Sequence, residues 1–110
     1  MLNAVTGTTT SAVQDVSMRE QIGFTFTCTG HSSGNGVFTV DASNDGTNWV
    51  TSIAMVDATS TSSTTYVTSK TLNSNTSAAV YLPLYPYRLV RVVCAVTTDG
   101  AYTAVLEAQG

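Results

Sequence analysis

One stretch of the chain, Asp41–Gly46 ("DASNDG"), has the residue types of a calcium-binding loop. Oxygen-bearing side chains occupy alternate positions and a glycine stands sixth. The twelfth position of such a loop normally carries a bidentate Glu, and here it is Ser52. We therefore interpret Asn44, Asp45 and Gly46 as a structural turn and not as a metal site, because these residue types tolerate positive φ and close tight hairpins.

Candidates for catalysis are few. His31 is the only histidine, and it lies in the Gly- and Ser-rich stretch 30–36 with no acidic or nucleophilic residue at a motif spacing. A pair of carboxylates that hydrolyses a glycoside stays open at this point, since the seven carboxylates are scattered over predicted strand ends and turns: Asp15, Glu20, Asp41, Asp45, Asp57, Asp99 and Glu107. We expect a non-enzymatic protein with no catalytic residue, no metal and no cofactor.

The two cysteines, Cys28 and Cys94, are far apart in sequence, which would suit a bridge between two sheets. They stand in apolar alternation and not at a Cys-x-x-Cys or zinc spacing. Residues 1–10 lack the positive start and the apolar block of a secretory signal. We therefore expect synthesis in a cytoplasm without secretion, where reducing conditions favour two buried thiols over the disulfide.

The polar surface of this protein is predicted to consist of hydroxyl groups more than ions. Ser and Thr supply 32 of the 110 residues, whereas charged residues make up 10% and the formal net charge is −3. The four cations, Arg19, Lys70, Arg88 and Arg91, form no basic stripe, so we expect no nucleic-acid partner. No segment reaches the ~20 apolar residues that span a bilayer, so we expect no membrane partner either.

The elements that must position these residues are strands, because apolar residues recur with a period of two. The stretch 22–29, "IGFTFTCT", alternates apolar residues with Gly or Thr, which predicts one buried and one hydroxyl-bearing face. The same alternation on both sides of the Asn44–Gly46 turn predicts a hairpin over 37–56. Trp49 is expected to cap the end of the core beside that turn.

Further strands are predicted at 63–70, 78–84, 87–97 and 101–108, with a weaker one at 11–17, and loops at 30–36, 57–62 and 71–77. Short strands at this spacing are typical of an all-β fold, an antiparallel β-sandwich (Ig-like or jelly-roll-like) or barrel of about 7–8 strands. We expect residues 20–110 to form a single domain and residues 1–19 an N-terminal arm or edge strand.

The last two predicted strands are apolar on both faces. In the strand 87–97 one face carries Val90, Val92, Cys94 and Val96, and the opposite face is mostly apolar too. The strand after the Thr98–Gly100 turn repeats this pattern, so the pair is expected to expose a continuous apolar patch that marks an interaction surface. We predict that Leu89, Val93 and Val105 lie between subunits; cover by loops of the same chain is the alternative.

The order of "GFTFTCTG", "GVFTVDASNDGTNWV" and "YLPLYPYRLVRVVCAVTTDGAYTAVLEAQG" resembles small virion proteins of tailed bacteriophages. In those proteins a hairpin "F-x-x-x-x-S-x-DG-x-NW" is followed by "Y-x-x-V-R-V" and a closing strand "G-x-x-x-A-x-L". The similarity covers residues 20–110. It implies a virion structural protein that decorates or cements the head shell, forms a homo-oligomer, often a trimer, and has the major capsid protein as partner.

Residues 1–12, "MLNAVTGTTTSA", lie outside this similarity. Leu2 and Val5 are too few to form a core element alone, and the Gly- and Thr-rich remainder is typical of a strand-adding segment. We predict a docking arm in which Leu2 and Val5 contact a neighbouring subunit; a frayed terminus is the alternative.

A second class of function stays open, a carbohydrate-binding or adhesion module of a phage tail or fibre. Such a module would present exposed aromatic rings with polar neighbours on one face or rim. The residues that could form such a rim are Trp49, Tyr81, Tyr85 and Tyr87.

Overall fold

Two antiparallel sheets make up the described part of the chain. The computed structural model describes residues 1–17, 21–58, 66–82 and 87–109, with side chains up to Glu107. These residues form twelve strands and no helix: β1 (Leu2–Val5), β2 (Thr9–Thr10), β3 (Gln14–Asp15), β4 (Gln21–Thr29), β5 (Gly36–Ser43), β6 (Trp49–Val50), β7 (Met55–Asp57), β8 (Tyr66–Val67), β9 (Lys70–Leu72), β10 (Thr76–Leu82), β11 (Leu89–Val96) and β12 (Ala101–Gln109). The predicted all-β sandwich is confirmed.

The long strands occupy the middle of each sheet. The first sheet has the order β1-β12-β4-β10-β7-β8, and the second has the order β2-β11-β5-β6, with β3 also on β11 and β9 also on β5. The outermost strands β1, β2, β3, β6, β8 and β9 have only two to four residues. These short strands cover the neighbouring long strands only in part: β1 pairs with β12 at Tyr102 and Ala104, whereas β12 continues to Gln109.

The core lies between the two sheets, and the sequence alternation places its members. From the first sheet it receives Phe24, Phe26, Cys28, Ala78, Val80, Leu82, Tyr102 and Ala104, and from the second Phe38, Val40, Ala42, Val90, Val92 and Cys94. Phe26 and Phe38, on facing strands, stack with ring centroids 4.3 Å apart. Such aromatic pairs contribute about 0.5–1.5 kcal/mol beyond the area they bury.

Tyr102 occupies the space between the sheets at one end of the sandwich. Its side chain is fully buried, and its hydroxyl donates to the Asp99 carbonyl oxygen at 2.9 Å. On the facing sheet, a Cβ placed on Gly36 would lie 2.3 Å from Cε1 of this ring. Gly36 is therefore required by the close approach of an aromatic ring to the backbone.

The predicted hairpin over 37–56 is only partly correct. β5 and β6 pair at Ala42–Val50 and Ser43–Trp49, but the chain then crosses to the first sheet, where β7 pairs with β10 and β8. Crossings of this kind divide the predicted runs, which is one reason why the described residues form twelve strands and not the about 7–8 predicted. The predicted loop 71–77 likewise contains the end of β9 and the start of β10.

The predicted terminal hairpin is wrong. β11 pairs with β5, β2 and β3 in the second sheet, whereas β12 pairs with β4 and β1 in the first. The turn at 98–100 therefore carries the chain from one sheet to the other. Leu89 and Val93 consequently lie on the opposite side of the sandwich from Val105, and no continuous patch joins the three.

The predicted docking arm is also wrong for Leu2 and Val5. β1 pairs with β12 of the same chain, Leu2 is 3% exposed within the core, and Val5 packs against that core. The segment then crosses over, so that Thr9–Thr10 pairs with β11 of the second sheet. Residues 1–17 thus contribute edge strands to both sheets; residues 18 and 19 of the predicted arm or edge strand lie outside the described residues.

Some predictions fall wholly or partly outside the described residues. They are the strands 63–70 and 78–84, the loop 57–62, and the individual residues Arg19, Glu20 and Tyr85.

Candidate functional site

The turn after β5 is held by its own side chains. Asp45 Oδ1 accepts the backbone N–H groups of Asn48 and Thr47, both at 2.8 Å, and Asn48 Nδ2 donates to Oδ2 at 2.8 Å. The backbone donors, Asn48 first and Thr47 second, hold the pKa of the Asp45 carboxyl well below its usual range. Gly46 has φ +78°, as a tight turn requires. Both Asp45 oxygens are thus occupied within the turn, as its structural interpretation expects.

Trp49 lies outside the core, contrary to the prediction that it caps the core end. It pairs with Ser43, which follows the inward-pointing Ala42 and so belongs to the outer face of the second sheet. The Arg91 guanidinium lies over the Trp49 ring, 4.1 Å from its centroid, and the indole N–H donates to the Gly46 carbonyl oxygen at 3.2 Å. Trp49 therefore links the turn, through its indole N–H, to Arg91 on the outer face of the second sheet.

Arg91 is also paired with a buried carboxylate. Its Nε donates to Asp41 Oδ2 at 3.0 Å, and the Asp41 side chain is only 5% exposed. Asp41 Oδ1 accepts the backbone N–H of Ser52 at 3.1 Å. A carboxylate this deeply buried is stable when paired and hydrogen-bonded, so Asp41 serves the second sheet and not a calcium loop.

The outer face of the second sheet combines apolar side chains with this neutralised pair. Along β11 the outward residues are Leu89, Arg91, Val93 and Ala95, because Val90, Val92 and Cys94 point into the core. In register beside them, Val37 of β5 pairs with Ala95, and Thr39 pairs with Val93. Leu89, Val93 and Val37 are each half-buried. We call this set, Val37, Leu89, Val93 and Ala95, the apolar face.

The outer face of the first sheet has a different chemistry. Thr103, Thr27 and Ser77 form one row across β12, β4 and β10, and the Thr27 and Ser77 hydroxyls lie 3.1 Å apart. In the next row Thr25 stands between Ala79 and Val105, and Val105 is 47% exposed. We call this surface the hydroxyl face. It confirms the hydroxyl-bearing side predicted for the stretch 22–29.

A groove crosses the hydroxyl face at Gly23. Tyr81 and Glu107 are the two register partners of Gly23, so their side chains stand on either side of a position with no side chain. Together with Gln21 they line an open groove with a volume of about 150 Å³. Thr25 Oγ1 donates to Glu107 Oε1 at 3.2 Å, which orients the carboxylate at the wall of the groove.

The aromatic rim considered for a saccharide binder does not form as a single set. Trp49 lies on the outer face of the second sheet and Tyr81 on that of the first. The sequence did carry a signal for the groove, since "IGFTFTCT" has a glycine where the other outward positions have Thr. That glycine indicates a groove only once the residues beside it are known. These partners of Gly23 lie about 60 and 80 residues further along the chain, and only the strand register identifies them.

The other residues considered from the sequence, which are the two cysteines, His31 and Asp99, are packed or hydrogen-bonded within the fold. Cys28 and Cys94 are both buried and unbridged, and burial, followed by the proximity of Cys28, raises the pKa of Cys94 to about 11. His31 lies in a loop where its Nε2 and the Gly34 carbonyl oxygen are 2.8 Å apart. Asp99 Oδ1 accepts the backbone N–H groups of Ser32 and Ser33 at 2.9 and 3.1 Å, which ties that loop to the β11–β12 crossing.

Over residues 1–17, 21–58, 66–82 and 87–109, no group of three or more His, Cys, Asp or Glu side chains is placed to hold a metal ion. In the same part of the chain, no helix is long and apolar enough to cross a membrane. Comparisons with protein-family models, with curated proteins and with solved structures found no match to this chain.

Proposed function

We propose that this chain is a non-enzymatic structural protein of a virion, made in the host cytoplasm, which associates with copies of itself and decorates or cements a capsid shell. The observation that carries the proposal is the apolar face. Three of its side chains, Val37, Leu89 and Val93, are aliphatic and half-buried on a sheet surface, where a second layer of protein would complete their burial.

A second copy of the chain is the occupant that this face suits. The charged residue at its centre, Arg91, is already paired with Asp41 and stacked on Trp49. Copies of this face can therefore meet without burying an unpaired charge at its centre, and Asp15, in register with Leu89 at its border, lies 3.6 Å from Arg88.

The resemblance of residues 20–110 to small virion proteins supplies the rest of the proposal. The resemblance implies that the chain assembles as a homo-oligomer, which is a trimer in many such proteins. It also implies that the major capsid protein is the external partner. A rigid, hydroxyl-rich sandwich suits this role, because a decoration protein gains affinity from buried area and not from a reactive site.

The virion assignment is tested by where the chain is found. Virus particles are purified on a density gradient from a culture that contains the genome encoding this chain. The amount of the chain in each fraction is then measured by mass spectrometry. We expect the chain in the particle fractions at a copy number comparable with that of the shell protein. Recovery only from the soluble fractions would overturn the assignment.

A further inference from the structure

Gly23 occupies a position where the backbone has no need of glycine. It lies near the start of the nine-residue strand β4, in the middle of the first sheet, where glycine weakens a strand. Its φ is outside the positive region, and a Cβ there would lie 3.5 Å from the Val80 carbonyl oxygen and 3.7 Å from that of Glu107, which are ordinary contacts. Among the described residues, the absence of a side chain at Gly23 leaves an open floor in the groove.

The groove has the size and the groups for a single six-membered ring. Its volume of about 150 Å³ is comparable with that of a closed cavity that holds one benzene ring, and because the groove is open on one side, the substituents of a larger ring can extend into solvent. The half-buried Tyr81 provides an aromatic wall. On the other side the exposed Glu107 carboxylate accepts one hydrogen bond from Thr25 at Oε1, and Gln21 adds an amide that can both donate and accept.

We propose that the Gly23 groove binds one pyranose unit of a neutral saccharide. The apolar C–H face of the sugar would lie against Tyr81, as amphipathic rings do against aromatic side chains. Its hydroxyl groups would donate to Glu107 and exchange hydrogen bonds with Gln21, and charge-assisted bonds to a carboxylate are the stronger kind. This site goes beyond the structural role proposed above and lies on the opposite sheet from the apolar face, so the two are tested independently.

The surroundings favour a neutral sugar over a cation or an acidic sugar. Glu107 would repel a uronic or sialic acid carboxylate placed against it. A quaternary ammonium is recognised by an aromatic cage, whereas this groove has one aromatic wall and two hydrogen-bonding side chains. The row of Thr103, Thr27 and Ser77 continues the hydroxyl chemistry along the sheet.

The experiment titrates the full-length chain, uniformly ¹⁵N-labelled, with methyl glucoside, methyl galactoside and N-acetylglucosamine, and with glucuronate and choline as contrasting probes. We expect at least one neutral sugar to shift the amide signals of Gly23, Thr25 and Tyr81 with a millimolar Kd, as a small ring in an open groove allows. Glucuronate and choline should leave these signals unchanged.

Variants locate the binding. Gly23→Val fills the floor of the groove and should abolish the shifts. Glu107→Gln, at an exposed position, keeps the shape of the side chain and should raise the Kd at least about tenfold. Val105→Thr, on the same face outside the groove, is the matched control and should bind normally.

Absence of shifts with all three neutral sugars at about 50 mM, well above a millimolar Kd, would overturn the proposal. So would unchanged affinity in both Gly23→Val and Glu107→Gln. Shifts with choline and none with the sugars would replace the saccharide by a cationic ligand and overturn the proposal equally. The Glu107→Gln variant keeps the test decisive if Gly23→Val fails to fold.

Discussion

At the scale of single residues, two glycines with ordinary φ values have opposite roles. A Cβ on Gly36 would lie 2.3 Å from the ring of Tyr102, whereas a Cβ on Gly23 meets nothing closer than 3.5 Å. Gly36 is thus explained by the packing between the sheets, and Gly23 is not. No close contact requires glycine at position 23, so the open space above it is available to a ligand.

Gly36→Ala should destabilise the fold strongly. The added methyl group overlaps a fully buried ring, and overpacking of a core typically costs about 1–3 kcal/mol. Urea unfolding of this variant is compared with that of Gly7→Ala, since a Cβ on Gly7 has nothing within 4 Å. Equal midpoints for the two variants would contradict the close approach of Tyr102 to Gly36.

The turn carboxylates should make stability fall in acid. Hydrogen bonds from Asn48 and Thr47 lower the pKa of Asp45, and those from Ser32 and Ser33 lower the pKa of Asp99. Because the folded pKa values lie below the unfolded ones, this stabilisation is fully present above about pH 5 and is lost as the pH falls through about 4 and below.

The measurement is the free energy of unfolding in urea at intervals from neutral pH to about pH 2. The double variant Asp45→Asn/Asp99→Asn should show a shallower decline below pH 4 than the wild type. Identical slopes would mean that neither carboxylate is stabilised by the loops it joins.

At the scale of elements, the N-terminal segment belongs to the sandwich. Leu2→Ala should lower the free energy of unfolding by about 2–5 kcal/mol, because a large buried side chain is removed from the core. Asn3→Ala, at an exposed position of the same strand, is the control and should have little effect. A loss no greater for Leu2→Ala than for Asn3→Ala would support a docking arm instead.

The sequence predicts the long strands well and the short ones poorly. The period of two in β4, β5, β11 and β12 reflects burial against a single core, so it is visible locally. Strands of two to four residues, such as β1 and β8, are too short to display a period. The partner of β1 is β12, about 100 residues away, and no local pattern encodes such a pairing.

The same limit explains the error in the interaction surface. Alternation correctly indicated that Leu89, Val93 and Val105 point away from the core, but the "TTDG" turn suggested a hairpin. The chain uses that turn to cross between sheets, with Gly100 at φ +104° and Asp99 bonded to the neighbouring loop. The groove at Gly23 was missed for a related reason, since its walls come from β10 and β12.

At the scale of the whole molecule, the two outer faces of the sandwich differ in chemistry. We propose that the apolar face on the second sheet associates with another copy of the chain. The outer face of the first sheet is richer in hydroxyl groups, with Val105 and Tyr66 also exposed on it, and is proposed to remain in solvent and to bind a polar ligand. If the apolar face mediates assembly, the hydroxyl face and its groove stay accessible in the assembled form. The central claim is therefore that self-association uses one sheet only.

Sedimentation velocity of the wild type and two matched variants tests this claim most directly. Val93→Glu places a charge on the apolar face, where burying it without a partner is costly, and Val105→Glu places the same charge on the hydroxyl face. We expect the wild type and Val105→Glu to sediment as the same oligomer, a trimer by the resemblance, and Val93→Glu as a monomer of 11.5 kDa. A monomeric wild type at about 100 µM, a concentration at which even weak oligomers assemble, would contradict the account, as would equal disruption by both variants.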